Sequence, residues 1–452
     1  MLFRLSVIIV VMIALVLSST WSVNVQAQGG DEPEECVEFI QQVLTDLGTN
    51  CAGGDPFQGC ASHPVITLDI DEEETDAYTD DYLGLWPIAE DALEPEERAE
   101  LDPRDRFPLL PAAQVDASRF DLANEEWGIA KLKVSLPHYP VAADQVEDTV
   151  FLAVGARIED TTTPSDAYFP AAPIDISTTA ETALREAPRA NADVLDTAPS
   201  GVALAVDGIS PDGEWARVLF TTNRLGIWDL AWVPTSVLDP TVDTSDLPEV
   251  EQDSRVPWQE IFLHDGYEES DECSLAPPSL LLLIGPDEDT AVEFWTNELY
   301  VKVRGATLFM IPPSGNVLMA YVAAGVLLVD PDTTDEWVIP AGFWGYWCLS
   351  EPDFYGGRVP PEPDEERERV IVPCADGAEF VRRLPDDDMQ AWLAALLNPL
   401  GEEVPDIVET SGIGGPTIDL SFNNSDAIDP VRDACELGQL PPDICDLYEF
   451  PS

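Results

Sequence analysis

Basic residues are scarce and histidine scarcer: 21 Lys and Arg stand against 87 Asp and Glu, with three His. Only Lys131, Lys133 and Lys302 are lysines; the remaining basic residues are arginines. A chain of net charge −66 cannot neutralise phosphates, which excludes nucleic acid as a partner and disfavours anionic lipid. The shortage of His excludes more. His63, His138 and His264 stand apart, with no His-Glu-x-x-His and no Cys/His cluster, so zinc hydrolysis has no local ligand set. There is no Gly-x-Ser-x-Gly elbow, and Gly412-Ile413-Gly414-Gly415 neither leads into a helix nor is followed by Gly-Lys-Ser/Thr. Asp69-Ile70-Asp71 and Asp330-Pro331-Asp332 lack the glycine and terminal Glu of an EF-hand loop. With 87 acids a carboxylate pair is available to any cleft, so abundance carries no glycosidase signal. No catalytic residue, metal or cofactor is expected. A hydrolase ranks behind a binding protein.

Apolar runs of membrane length are missing too. After Met1-Leu2-Phe3-Arg4 an apolar stretch covers residues 5–17, followed by Ser18-Ser19-Thr20 and the small-residue pattern Val25-Gln26-Ala27. This is the layout of a secretory signal over residues 1–27, shorter than the roughly 20 apolar residues of a spanning helix. The mature chain is expected to be soluble and extracytoplasmic. Eight cysteines, an even number, then read as disulfides, with Cys51–Cys60 and Cys435–Cys445 the expected pairs. Cys51, Cys60 and His63 lack a fourth ligand at finger spacing. The acidic surface reads either as an adaptation for solubility or high salt, or as a collector of divalent cations and basic partners; self-repulsion makes it salt-sensitive in both cases.

What is present is β pattern. A Cys-rich lead over residues 28–63 carries a helix from about Cys36 to Leu47, where Val37, Ile40, Val43, Leu44 and Leu47 share a stripe. A small β domain is expected over 64–165, with strands at 127–134 and 150–155. Residues 176–240 hold short strands with turns at Pro199-Ser200-Gly201 and Pro211-Asp212-Gly213, the pattern of a small barrel. An acidic linker follows over 241–275 and a second β-rich unit over 276–350, opened by Leu280-Leu281-Leu282-Leu283-Ile284. The remainder, 351–452, is a Pro- and acid-rich tail with one helix over 386–397, so the whole reads as mainly β and multidomain, with short helices toward either end.

Two stretches resemble known families. Leu184-Arg185-Glu186-Ala187-Pro188, Val194-Leu195, Gly201, Trp215 with Val218, Ala231-Trp232-Val233 and Leu238 follow the order and spacing of the bacterial SH3 (SH3b) family. Ala187 and Ala231 stand where glycine is usual, and residues 223–230 insert a loop bearing Trp228. Ala323-Ala324-Gly325-Val326 and Val338-Ile339-Pro340-Ala341-Gly342 resemble turns of a FecR-like β-roll or sandwich-like domain. The SH3b resemblance implies an envelope-attached module that binds cell wall or peptide. Trp215, Trp228 and Trp232 are candidate contact residues beside Arg185, with burial in the barrel's own core the competing role for Trp215 and Trp232. The competing function is a structural or regulatory scaffold that holds another envelope protein through the β-roll.

Overall fold

The computed structural model describes residues 34–61, 106–137, 148–162, 167–221, 228–264, 279–311 and 317–349 with brief interruptions. It also describes Cys273 and Ala276, the strands at 66–70, 99–100, 354–358, 369–374 and 377–382, and Leu396. The expected signal segment over residues 1–27, Cys435, Cys445 and the helix expected over 386–397, apart from Leu396, lie outside the described residues.

Helix α1 (Glu34–Cys51) leads, longer at both ends than the stripe predicts. Then come β1 (Gln58–Ala61), β2 (Ile66–Ile70), β3 (Ala99–Glu100), β4 (Arg106–Pro108), β5 (Ala112–Ala117), β6 (Ile129–Val134), β7 (Thr149–Val154) and β8 (Arg157–Asp160). The middle of the chain supplies β9 (Ile174–Ser177), β10 (Thr182–Arg185), β11 (Val194–Ala198), β12 (Ala203–Ile209), β13 (Trp215–Thr221) and β14 (Trp228–Pro234). Beyond them lie β15 (Glu260–Leu263), β16 (Leu280–Ile284), β17 (Ala291–Thr296), β18 (Leu299–Met310), β19 (Val317–Val329), β20 (Trp337–Pro340), β21 (Phe343–Cys348) and β22 (Phe354–Arg358). A separate hairpin joins β23 (Arg369–Cys374) to β24 (Gly377–Arg382).

The protein is mainly β, and the chain crosses between its parts in a way the sequence units do not follow. Strands β1–β8 and β15–β22 form one 16-stranded sheet, while β9–β14 form a six-stranded sheet in the order β11-β10-β14-β13-β12-β9. The stretches 64–165 and 276–350 are therefore joined edge to edge: β7 pairs antiparallel with β16 from Val150–Ile284 to Val154–Leu280. The acidic stretch 241–275 also departs from the linker expected of it. Within it, β15 is inserted between β8 and β17, pairing parallel with the latter, and Trp258 just before it is fully buried. Composition hides this segment because its buried apolar residues, Val256, Trp258, Ile261 and Leu263, form a short cluster within an acidic stretch.

Both faces of the large sheet are covered at β7 and β16, which explains their continuous apolar sequences. Side chains of β7 and β16 alternate between two core clusters: Phe151, Ala153, Leu281 and Leu283 in one, Val150, Leu152, Leu280 and Leu282 in the other. The second is roofed by α1 through Phe39, Ile40, Val43, Leu44 and Leu47. Disulfides Cys51–Cys60 and Cys36–Cys273 tie the helix down at either end. The first is one of the two pairs expected; the second spans 237 residues, a separation that carries no sequence signal. Cys348 is disulfide-bonded as well.

The two longest strands, β18 and β19, bend together where Gly305 faces Gly325, both at positive φ of 93° and 75°. A Cβ on Gly325 would lie 2.0 Å from the Arg304 carbonyl oxygen, so the close approach requires glycine. Before the bend β18 pairs with β17, and after it with β16.

Candidate functional site

Alternation along β12–β14 sends one set of side chains into the six-stranded sheet's own core and the other set outward. Leu204, Val206, Ala216, Val218, Ala231 and Val233 form that core. Ala205, Trp215, Leu219 and Trp232 face the other way and belong to the cluster that holds Trp258, Phe294 and Val303 of the large sheet. Trp215 and Trp232, candidate contact residues from the sequence, are 9% and 3% exposed and pack in the layer between sheets. They cannot line an open groove in this arrangement. Trp228 begins β14, and its side chain lies outside the described residues.

Charged groups are built into the same layer. Arg217 donates to both carboxylate oxygens of Asp207 at 3.0 and 2.9 Å, and its guanidinium lies 4.5 Å from the centre of the Tyr168 ring. Burial opposes the charge on Arg217, but the neighbouring Asp207 and Tyr168 outweigh it and hold its pKa above the ordinary arginine value. Burial likewise pushes the Tyr168 phenol up, against the pull of Arg217. An ion pair crosses from sheet to sheet: Lys302 of β18 reaches Asp229 of β14 at 3.0 Å. Glu293, opposite Lys302 in register, accepts a hydrogen bond from the Tyr300 hydroxyl.

The outward face does not end under the large sheet. Register carries it from Arg217 to Trp232, from Trp232 to Arg185, and from Arg185 to Val194 on β11, the last strand of the sheet. Exposure rises along this row, from 3% at Arg217 and Trp232, through half-buried Arg185, to 53% at Val194. Arg185 is held by donating to the Ala192 carbonyl at 2.8 Å. The pairing of β10 and β11 shifts between Leu184 and Arg185, a β-bulge that places Leu195 opposite no residue. Leu195 is 43% exposed beside Val194, so two adjacent large apolar side chains stand in solvent. Val202, shortly after, is a third; among the described residues the only other exposed large hydrophobic is Phe262.

Acids frame this rim. Glu186, Asp193 and Asp196 are exposed, as is one cation, Arg189. Asp196 accepts a hydrogen bond from the Thr197 backbone N–H at 2.7 Å, so this edge is not a bare ladder of free amides. Of the residues suggested by sequence, Arg185 lies at the rim and Trp215 and Trp232 lie beneath it. Val194 and Leu195 are legible only as part of a barrel strand, although two neighbouring apolar residues flanked by Asp193 and Asp196 break the alternation of a half-buried strand.

Elsewhere the chemistry is sparse. His264 lies 2.9 Å from Glu159 at a half-buried position and packs edge-on against Phe262. Among the described residues no group of three or more His, Cys, Asp and Glu is placed to hold a metal ion, and no helix is long and apolar enough to cross a membrane. Compared with known proteins, the chain matches no family model, no curated protein and no solved structure.

Proposed function

We propose that this is an exported, non-enzymatic binding protein of the cell envelope that takes up cell-wall or peptide material at the rim of its six-stranded sheet. We read that sheet as a barrel of the SH3b kind. Export is supported by the N-terminal charge, apolar run and small-residue pattern, and by disulfides, which persist in oxidising compartments. The observation that carries the binding reading is the run of the sheet's outward face out of its covered layer to the apolar Val194 and Leu195, at 53% and 43% exposure. Exposed large apolar neighbours in a chain otherwise covered with carboxylates mark a contact surface. Trp215, Trp232 and the Arg217–Asp207 pair then act as a rigid floor that fixes the rim rather than as contacts.

The test is co-sedimentation of the full-length mature protein with purified cell wall. Retention of the wild type, lost in a Val194→Thr/Leu195→Thr variant of unchanged thermal stability, supports the reading. Wild-type retention that the variant leaves intact, or no retention at any salt concentration, defeats it.

A further inference from the structure

We infer that the occupant of the rim is an extended peptide in which an apolar side chain is flanked by cationic ones, rather than a glycan. This rests on the binding reading above and names its ligand. Three features of the rim point the same way. The first is shape. β11 is the terminal strand of its sheet and is exposed on both faces from Val194 to Thr197, so an extended segment can lie along it.

The second is the kind of apolar surface. Sugars are held on flat aromatic faces, and the aromatics of this sheet's outward face with described side chains, Trp215 and Trp232, are buried beneath the rim. What the rim offers is aliphatic: Val194 and Leu195, adjacent at the bulge, suited to an aliphatic side chain of a peptide.

The third is charge. Glu186, Asp193 and Asp196 stand exposed on β11 and the turn leading into it, next in sequence or register to the apolar pair, against one exposed cation there, Arg189, on a chain of net charge −66. A second copy of this chain would bring the same carboxylates against them, and like charges across a strand pair are unfavourable. The acids that deter self-association attract a cationic strand and speed its approach. The bulge and the Asp196–Thr197 contact keep pairing short, so affinity comes from the apolar contact and charge rather than from a long hydrogen-bonded ladder.

The experiment uses the full-length mature protein and three fluorescent ten-residue peptides, read by anisotropy at 0.1 and 1 M NaCl. One alternates Lys and Val, one alternates Lys and Gly, and one alternates Glu and Val. The Lys/Val peptide is expected to bind at least about tenfold more tightly than either other peptide. Part of that preference should survive at 1 M salt, where charge attraction between exposed groups is screened within about 3 Å. Val194→Thr/Leu195→Thr should cut its affinity about tenfold, while Phe262→Ser, at an exposed apolar position on the large sheet, should leave it unchanged. Binding that vanishes at 1 M salt and ignores both variants would be diffuse attraction to an acidic surface and would overturn the inference. Cell-wall sedimentation that depends on Val194 and Leu195, with no preference for the Lys/Val peptide, would overturn the ligand class while leaving the rim as the binding site. Loss of both responses would remove the rim itself.

Discussion

The two sheets are built from the chain in opposite ways. The six-stranded sheet takes consecutive strands from one stretch, whereas the large sheet pairs β7 with β16 and β8 with β15, segments separated by about a hundred residues and by the whole of the smaller sheet. The smaller sheet is thus an insertion into the larger one. Its local strand pairing makes it readable from turns and spacing, while the large sheet must close a long loop before its central pairs form. They are joined by an apolar layer crossed by the Lys302–Asp229 ion pair, with Arg217–Asp207 buried on the smaller sheet's side of it.

That joint gives the largest expected effect. Lys302 is 2% exposed and Asp229 15%, so Lys302→Met should cost about 3 kcal/mol or more by leaving a part-buried carboxylate without its cation. The double variant Lys302→Met/Asp229→Asn should recover most of this in denaturant titrations. Equal losses in single and double variants would mean that the ion pair does not join the sheets.

Covalent ties distinguish local from distant structure next. Removing Cys36–Cys273, which closes a separation of 237 residues, should destabilise more than removing Cys51–Cys60, which closes a separation of 9, by about 3 kcal/mol on loop length. Calorimetry of the two Cys→Ser pairs measures the difference, and an equal loss would show that chain closure is not what the longer tie contributes. Gly325→Ala tests the bend in the large sheet against a turn of the smaller one. Gly201 shares the positive φ but has no atom within 4 Å of an added Cβ, so Gly201→Ala carries backbone strain alone. At Gly325 the Arg304 carbonyl stands in the way as well, and we expect a further loss of about 1–2 kcal/mol. Matching losses in denaturant titrations would mean that the two strands part there at no cost.

The smallest effect lies in a turn of the smaller sheet. The Ser210 hydroxyl, then the Glu214 backbone N–H, hold Asp212 below the ordinary carboxylate value. A folded-state pKa below the unfolded one means that this contribution is present above the unfolded value and is lost as pH falls through the folded one. Ser210→Ala should raise the Asp212 pKa toward ordinary, as read by NMR titration. An unmoved titration would leave the backbone contact as the sole cause.

The legible parts share a property. The stripe of α1, the Cys51–Cys60 pair and the strands from β10 to β14 all depend on residues close in sequence, where periodicity and turns are written directly. The burial of β16 can be read from its unbroken leucines, but its partner β7 cannot. β15 reads as linker because its apolar run, Ile261-Phe262-Leu263, is too short to stand out within an acidic stretch. At the candidate site Arg185 is legible. The tryptophans draw attention because aromatics serve both cores and grooves, and only the packing of a second sheet decides between these roles.

Composition and local pattern alone determined that this chain would be β-rich, strongly anionic and cross-linked, because charge and periodicity are sums and repeats over neighbouring residues. Tertiary structure decided that two distant stretches share a sheet, that Trp215 and Trp232 lie beneath it, and that Val194 and Leu195 emerge at the rim of its smaller neighbour. Which face of a strand meets solvent depends on what covers it, and the covering residues lie elsewhere in the chain.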